Sequence, residues 1–263
     1  MTEVVCGVIR SEKGYLIAQK KESLLWEFPG GKVREGETHN EALIREIQEE
    51  LAIDVKPVFE ITRYDFDKYT LVFIYAVSIN DSFELKEHQN TLWIEPNKLI
   101  EYKFTRGDTK FVEYLDLKNR EREKIGFEYI EDLLFFENLF DSYIYNTPLE
   151  KLFDFSQATE KRKSFNKIRN RVFDDLKTKF GETCQLGYSC CDLSSGYAVD
   201  HFIPLSSNVL NKQLRKLQAK KGKKVESQFF GSNHRSNFLL ACNSCNNHKK
   251  HRLTAPLKVD TIT

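Results

Sequence analysis

The sequence predicts an α+β protein with two domains. Residues 1–118 alternate short strand-like runs with an amphipathic helix, as expected for a helix packed on a sheet. Residues 159–263 are strongly basic and hold five of the six cysteines. Residues 119–158 are acidic and aromatic with helical periodicity, which is too apolar for a flexible linker and predicts a helical connector.

The composition is that of a globular chain. Of the 263 residues, 40% are hydrophobic and 30% are charged. No apolar run approaches the roughly 18 residues of a membrane span, and the N-terminus lacks a basic segment followed by an apolar one. We therefore expect a cytoplasmic protein without a membrane partner.

Charge is distributed unevenly between the two halves. Residues 159–263 contain 20 basic and 8 acidic residues, whereas residues 1–158 contain 20 and 31. Such a basic half predicts contact with a polyanion such as nucleic acid. The alternative is that two oppositely charged domains dock on each other.

The first domain is predicted to contain one long helix among several strands. The helix covers residues 38–51, with Thr38 as N-cap and Glu41 as its capping-box partner. Its core-facing positions are expected to be Leu43, Ile44, Ile47 and Leu51. The predicted strands are residues 3–10, 14–20, 56–64, 69–79 and 91–95, a closing helix covers 108–118, and a basic helix covers 160–180.

Three glutamates lie on one face of the predicted helix 38–51. Glu46, Glu49 and Glu50 are spaced i, i+3 and i+4, so their charges repel one another unless a cation is bound. A hard divalent cation such as Mg²⁺ or Mn²⁺ takes oxygen ligands and also binds phosphate oxygens. A solvated acidic helix face is the alternative interpretation.

Further residues fall at fixed distances from these glutamates. The pattern is G-x5-E-x7-R-E-U-x-E-E-x-G-U, where U is bulky and apolar, and Ala52 replaces its last glycine. The matching positions are Gly31, Glu37, Arg45, Glu46, Glu49, Glu50 and Ile53. This stretch resembles the Nudix box, which implies a hydrolase of nucleoside diphosphate linkages, an α/β/α sandwich with a mixed sheet, and metal ligands at Glu46, Glu49 and Glu50.

The resemblance extends to the MutT-like branch of that family. The run LLWEFPGGKVREGET is similar to this branch, which implies a nucleoside triphosphate pyrophosphohydrolase. It implies that Gly30 and Gly31 let the backbone approach the nucleotide and that Arg45 fixes the loop through a carboxylate such as Glu37. It further implies that Glu49, Glu50 and Glu87 are catalytic, that Lys20 contacts phosphate and that Asp108 contacts the nucleobase. The alternative for Glu87 is an ordinary surface glutamate. The alternative for Asp108 is a helix N-cap.

A second motif lies in the basic half. It comprises Asp200-His201, Asn237, the C-x2-C pair Cys242 and Cys245, Asn246 and Lys249. This order resembles the HNH endonuclease family, with its ββα-metal fold. The resemblance implies that His201 is the general base and Asn237 orients it and pins the loop, while Asp200 and Asn246 hold Mg²⁺ or Mn²⁺.

The cysteines of this half predict a structural metal. In a chain expected to be cytoplasmic, Cys242-x2-Cys245 offers two thiolates to tetrahedral Zn²⁺. We expect the other two ligands to be Cys184 and Cys191, with Cys190 as an alternative to Cys191. Buried free thiols without zinc would be the other explanation.

A dense basic segment separates His201 from Asn237. Its residues Lys212, Arg215 and Lys216, together with Lys249 in the motif, are expected to contact DNA phosphates without reading the sequence. A solvated loop is the alternative.

The two motifs together predict a bifunctional enzyme. A Nudix nucleotide hydrolase or sensor would be coupled to an HNH DNA endonuclease. By analogy, we expect such a protein to act in bacterial or phage defence. One alternative is a Nudix-like reader that directs the nuclease to modified DNA, and another is a non-catalytic zinc protein that binds nucleic acid. Because constant nuclease activity would be toxic, we expect gating by a nucleotide, a regulatory partner or homo-oligomerisation.

Overall fold

The computed structural model describes residues 1–80, 84–140, 147–215 and 226–253. The side chains of Gln213 and Arg215 are also outside this description. The chain divides into two compact units, Met1–Asn138 (unit 1) and Leu139–Thr263 (unit 2). The division falls inside the predicted connector 119–158.

Unit 1 is built on a mixed seven-stranded sheet, as predicted. The central strands pair in the order β3-β2-β1-β6-β5, while β4 pairs with β1 and β7 pairs with β2. The β1–β6 pair is parallel and the other pairs are antiparallel. The strands are β1 (Thr2–Ser11), β2 (Gly14–Gln19), β3 (Trp26–Glu27), β4 (Gly30–Lys32), β5 (Val55–Phe66), β6 (Tyr69–Ser78) and β7 (Asn90–Ile94).

Helix α1 (His39–Leu51) covers one face of this sheet. Thr38 is the N-cap, and the capping box with Glu41 is formed as predicted. Leu43, Ile47 and Leu51 are buried in a cluster with alternate residues of β6, which are Val72, Ile74 and Ala76. The prediction for Ile44 is wrong, because its side chain is 41% exposed. It lies about 100° around the helix from Leu43, outside the buried stripe.

The opposite face of the sheet is covered by helix α2 (Arg106–Ile125). Its Phe111 ring stacks on Phe73 of β6, with ring centroids 4.0 Å apart. Phe73 alternates with the residues that face α1, as the period of two in a strand requires. The 3₁₀ helix Pro96–Glu101 precedes α2, and α3 (Ile130–Leu139) follows it. Helix α2 is longer than predicted and ends at Gly126, whose φ of 97° suits glycine.

Unit 2 contains two small antiparallel strand pairs and four helices in its described part. Strand β8 (Tyr197–His201) pairs with β11 (Phe238–Cys242), and β9 (Ser206–Ser207) pairs with β10 (Gln228–Phe229). The helices are α4 (Leu149–Leu152), α5 (Ala158–Phe180), α6 (Asn208–Arg215) and α7 (Asn243–Lys249), with short 3₁₀ helices at Leu193–Ser195 and Arg235–Asn237. None of the helices within the described ranges has the length and apolarity that a membrane span requires.

Candidate active sites

Arg45 of α1 organises the loop before the helix. Its guanidinium donates to both carboxylate oxygens of Glu37, at 2.7 and 2.8 Å, and to the Lys32 carbonyl at 3.0 Å. The expected pair with Glu37 is therefore present. These hydrogen bonds, followed by one from the Arg34 backbone, lower the pKa of Glu37 to about 2. Arg45 thus anchors the loop that leads from β4 into α1.

Two of the three predicted ligands are held by arginines. The Arg45 Nη1 atom donates to Glu46 at 2.6 Å and to Glu49 at 3.2 Å. Arg34, which the sequence reasoning did not single out, also contacts the Glu49 carboxylate at 3.2 Å. The arginines partly neutralise the repulsion that the spacing of the glutamates predicts.

Glu50 differs from these two because it is buried. It is 9% exposed, and its Oε2 atom has no hydrogen-bond partner among the described residues. Burial, followed by the charges of Glu27, Glu46 and Glu87, raises the pKa of Glu50 to about 8. A buried carboxylate with one unpartnered oxygen, surrounded by acidic groups, suits a divalent cation, which takes oxygen ligands. The donor set of Glu46, Glu49 and Glu50 therefore fits Mg²⁺ or Mn²⁺.

Gly30 and Gly31 leave no room for side chains. Gly30 has a φ of 153°, and a Cβ there would collide with the Val5 carbonyl of β1. A Cβ on Gly31 would collide with the Glu46 carboxylate. The structure thus places Gly30 against β1 and Gly31 against the Glu46 side chain, and their approach to a nucleotide stays a prediction.

The loop that carries Glu87 packs against the end of α1. The Lys86 amide donates to the Glu50 carbonyl at 3.1 Å, and Glu87 itself is exposed. The next residue, His88, is buried, and its Nε2 atom lies 3.0 Å from Glu27 Oε1. His88 and Glu27 were missed by the sequence reasoning, although both belong to the segments WEFPGG and KEHQ that carry the resemblance. They tie the Glu87 loop to β3.

The Lys20 side chain forms an ion pair within unit 1. Its Nζ atom lies 2.9 Å from Glu27 Oε2, so phosphate contact would require it to share or leave that carboxylate.

Asp108 is a buried acid in the first turn of α2. It accepts hydrogen bonds from the Phe28 amide at 3.4 Å and from the Thr105 hydroxyl. The alternative interpretation as an N-cap is wrong, because Thr105 is the N-cap and Asp108 lies three residues later. Burial raises the pKa of Asp108 to about 7, against the lowering effect of the Thr105 hydrogen bond. An acid of this kind can donate or accept a hydrogen bond near neutral pH.

In unit 2, the β8–β11 ladder places His201 opposite Phe238. The His201 ring packs against Phe238 and against Phe165 of α5, with centroids 5.1 and 4.6 Å away. Burial, aided by the charges of Lys249, Lys161 and Arg162, lowers the pKa of His201 to about 4, although the hydrogen bond with Asn233 opposes this shift. The imidazole is therefore neutral at pH 7.

Asn233, rather than Asn237, contacts the histidine ring. Asn233 Nδ2 donates to the Lys161 carbonyl at 2.7 Å, and its Oδ1 lies 2.9 Å from His201 Nε2. Because Oδ1 can only accept, Nε2 carries the proton and Nδ1 is the basic nitrogen. Asn237 is fully buried and bonds to the backbone of Ile203 and Ser232. Of its two expected roles, Asn237 performs the pinning of the loop and Asn233 the orientation of His201.

Asp200 lies in a buried ion pair. Its Oδ2 atom is 2.7 Å from Lys249 Nζ, which also donates to the His201 carbonyl at 2.8 Å. The prediction that Lys249 contacts DNA is corrected, because this side chain is 1% exposed and its charge faces Asp200. Asn246 lies one turn before Lys249 on α7 and thus on the same side of the helix. The Asp200 carboxylate and the Asn246 amide oxygen are donors suited to Mg²⁺ or Mn²⁺.

Four cysteines of unit 2 form a cluster. The sulfur atoms of Cys184, Cys191, Cys242 and Cys245 all lie within 4.8 Å of one another. The distance between Cys191 and Cys242 is 3.8 Å, which is about the edge of a tetrahedron with metal–sulfur bonds of about 2.3 Å. The geometry is compatible with a metal ion, and Cys190 lies outside the cluster.

The predicted DNA-contacting segment is described only in part. Lys212 is exposed on α6. The side chain of Arg215 and the whole of Lys216 lie outside the described residues.

Comparison with known proteins agrees with the arrangement in unit 1. Residues 2–115 match the NUDIX domain family. The chain is 33% identical over 123 residues to an 8-oxo-dGTP diphosphatase of Haemophilus influenzae, a match covering 43% of this chain and 90% of the relative. It is 29% identical over 121 residues to a CTP pyrophosphohydrolase of Escherichia coli, with the same two coverages.

A solved structure is similar as well. The solution structure of the E. coli ORF135 protein matches with a TM-score of 0.40 and 26% identity, over 46% of this chain and 93% of that protein. On the strength of the match over residues 2–115 and the identity with the H. influenzae relative, this chain belongs to the Nudix family.

Proposed function

We propose that this chain is a bifunctional metal-dependent hydrolase. Unit 1 hydrolyses a nucleoside triphosphate to the monophosphate and pyrophosphate, and unit 2 cleaves DNA as an HNH endonuclease. The observation that carries the first activity is the buried Glu50 carboxylate beside Glu46 and Glu49, whose Oε2 atom has no hydrogen-bond partner among the described residues. The second rests on the neutral, oriented His201 next to Asp200 and the helix of Asn246.

In unit 1, the residues have separate tasks. Glu46, Glu49 and Glu50 would hold Mg²⁺ or Mn²⁺, which when bound neutralises phosphate charge and makes its water more acidic. Arg45 keeps the ligand helix and the loop in register, and Glu87 accepts a proton from the attacking water. Asp108 contacts the nucleobase. The names of the relatives make 8-oxo-dGTP and CTP the first substrates to test.

In unit 2, His201 Nδ1 accepts a proton from the water that attacks the scissile phosphate. The phosphodiester bond breaks and the 3′ oxygen leaves, so the products are a 5′ phosphate and a 3′ hydroxyl. Asp200 and Asn246 would hold a single Mg²⁺ or Mn²⁺, which when bound stabilises the charge developing on the phosphate. The four-cysteine cluster would hold structural Zn²⁺.

Two catalytic centres on one chain favour control of one by the other. A nucleotide handled by unit 1 would then set the activity of the nuclease, a scheme suited to defence against foreign DNA.

The test measures both activities in the same tubes. Supercoiled plasmid is incubated with Mg²⁺ or Mn²⁺ and each nucleotide in turn, while nicking and pyrophosphate release are followed. We expect His201→Ala to abolish nicking while leaving pyrophosphate release intact, and Glu50→Gln to abolish pyrophosphate release. Plasmid nicking by the His201→Ala protein at the wild-type rate would refute the nuclease, and pyrophosphate release by Glu50→Gln at the wild-type rate would refute the assigned Nudix site.

A nucleotide that changes the nicking rate identifies the coupling. If a nucleotide still changes the nicking rate of the Glu50→Gln protein, the intact nucleotide is the signal. If the change is lost in that protein, the product of hydrolysis is the signal. A nicking rate independent of every nucleotide would refute the coupling and leave the two activities standing.

A further inference from the structure

Helix α5 carries a concentration of positive charge beside His201. Its segment 161–171 holds six basic residues and no acidic residue. The helix is attached to the site at several points, since Phe165 packs on the His201 ring and the Lys161 carbonyl accepts from Asn233. The charged segment is therefore fixed in position relative to the histidine.

Three exposed residues of this segment form one stripe. Arg162, Asn166 and Arg169 follow one another at i, i+4 and i+7, so they lie on the same side of α5. This side flanks the buried face that contains Phe165. The stripe starts next to the nuclease site, because Arg162 donates to Ser206 at 3.2 Å, five residues after His201.

Among the residues that the structure describes, neither arginine of the stripe forms an ion pair with an acidic residue. In the described part of unit 2, the ion pairs made by α5 are Lys163–Glu160 and Lys177–Glu182. A solvated helix face of ordinary composition would intersperse acidic residues at such positions, as α2 does with Asp116 and Arg120. The stripe thus presents uncompensated charge to solvent.

We propose that Arg162, Asn166 and Arg169 bind the sugar–phosphate backbone of the DNA that is cut at His201. This inference rests on the proposed nuclease activity and assigns part of its substrate-binding surface. From Arg162 to Arg169 the helix rises about 10 Å, which corresponds to about three phosphates at about 3.4 Å of axial rise per strand. Arginine pairs with phosphate through two hydrogen bonds, and the asparagine amide donates one more. Such contacts hold the DNA without reading its sequence.

The test is the salt dependence of DNA binding by the full-length chain. His201→Ala serves as the background so that the labelled duplex is not cut, and affinity is measured by fluorescence anisotropy over a series of KCl concentrations. We expect the double variant Arg162→Gln/Arg169→Gln to reduce the slope of log K against log salt by about 2, because each phosphate contact contributes about 0.9. At moderate salt we expect its affinity to fall about tenfold or more.

A matched control removes the same charge elsewhere. The double variant Lys98→Gln/Arg120→Gln changes two exposed residues of unit 1 and should leave the slope unchanged. The conservative pair Arg162→Lys/Arg169→Lys should retain most of the slope, since lysine still neutralises phosphate. Zinc content and far-UV circular dichroism of each protein verify that unit 2 is folded.

The outcomes separate this inference from the proposed function. If the wild-type chain nicks DNA and the α5 variant binds with an unchanged slope, the stripe is not the binding surface while the nuclease stands. If an equal loss of slope occurs in the unit 1 control, the effect is one of net charge and the assignment is overturned. If the wild-type chain neither binds nor nicks DNA, the proposed function and this inference fail together.

Discussion

Asp200 and Lys249 face each other in the interior of unit 2, with the carboxylate and ammonium groups 2.7 Å apart. Both side chains are almost completely buried. A buried charge without its partner is costly, so we expect Lys249→Met to destabilise unit 2 by about 3 kcal/mol or more. Chemical denaturation followed by far-UV circular dichroism measures this loss.

Added Mg²⁺ provides the control for that experiment. If Asp200 is a metal ligand, Mg²⁺ replaces the missing ammonium and raises the Tm of Lys249→Met. The double variant Asp200→Asn/Lys249→Met lacks the carboxylate and should not respond. Equal responses of the two proteins would contradict a metal site at Asp200.

Asn233 fixes which nitrogen of His201 is basic. We expect Asn233→Ala to lower the nicking rate by about tenfold or more, because loss of an orienting hydrogen bond typically costs about 10–100-fold. Zinc content and the Tm of unit 2 should change little. Plasmid nicking measures the rate, and an unchanged rate would show that Asn233 does not orient the base.

The cysteine cluster predicts one zinc ion per chain. We expect Cys191→Ser to lose this zinc and to unfold unit 2, because a small metal-bound domain derives folding free energy from the metal. Cys190→Ser is the matched control and should retain it, since Cys190 lies outside the cluster. Metal analysis measures the zinc content of both proteins. If Cys190→Ser lost zinc and Cys191→Ser retained it, Cys190 would be the ligand in place of Cys191.

Ala52 terminates α1 with a φ of 53°, which favours glycine. We expect Ala52→Gly to stabilise unit 1 by about 1 kcal/mol, because alanine is strained at positive φ. Both tryptophans of the chain, Trp26 and Trp93, lie in unit 1, so their fluorescence during urea unfolding reports on this unit. Ala42→Gly, within the same helix, should instead destabilise it by about 1 kcal/mol or more.

The raised pKa of Asp108 makes the free energy of unfolding of unit 1 depend on pH. Its pKa is raised to about 7 in the folded chain, so between about pH 4 and pH 7 the folded state binds more protons than the unfolded state. The contribution of Asp108 to stability is therefore greatest at low pH and is lost as the pH rises through this window. We expect Asp108→Asn to flatten the dependence, and tryptophan-monitored unfolding at several pH values compares the two proteins. Parallel curves for the two would contradict this shift.

The sequence was most informative where the cause of a structure is local. The capping box of Thr38 and Glu41 and the spacing of the glutamates depend on residues a few positions apart, and α1 was predicted nearly to the residue. The choice of Cys191 over Cys190 also agrees with the cluster. Ile44 was misplaced because an apolar residue beside a buried stripe was counted as part of it.

Contacts between residues far apart in the chain could not be predicted from the local sequence. The role of Asn233 depends on the Lys161 carbonyl, 72 positions earlier in the chain. Lys249 was predicted to contact DNA phosphates, and only the fold shows that Asp200 lies opposite it. The neighbours of Glu27 follow from sheet pairing, which brings Lys20 and His88 to the same carboxylate.

The register of the β8–β11 ladder limits where insertions and deletions can occur in this part of the chain. His201 pairs with Phe238 at one end of the ladder and Tyr197 pairs with Cys242 at the other, so one register fixes both the base and a thiol of the cysteine cluster. A shift by one residue would turn Asp200 and Cys242 to the wrong face. Single-residue insertions or deletions are therefore excluded within these strands, whereas the joining segment 202–237 can change length during evolution only where Asn233 and Asn237 keep their hydrogen bonds.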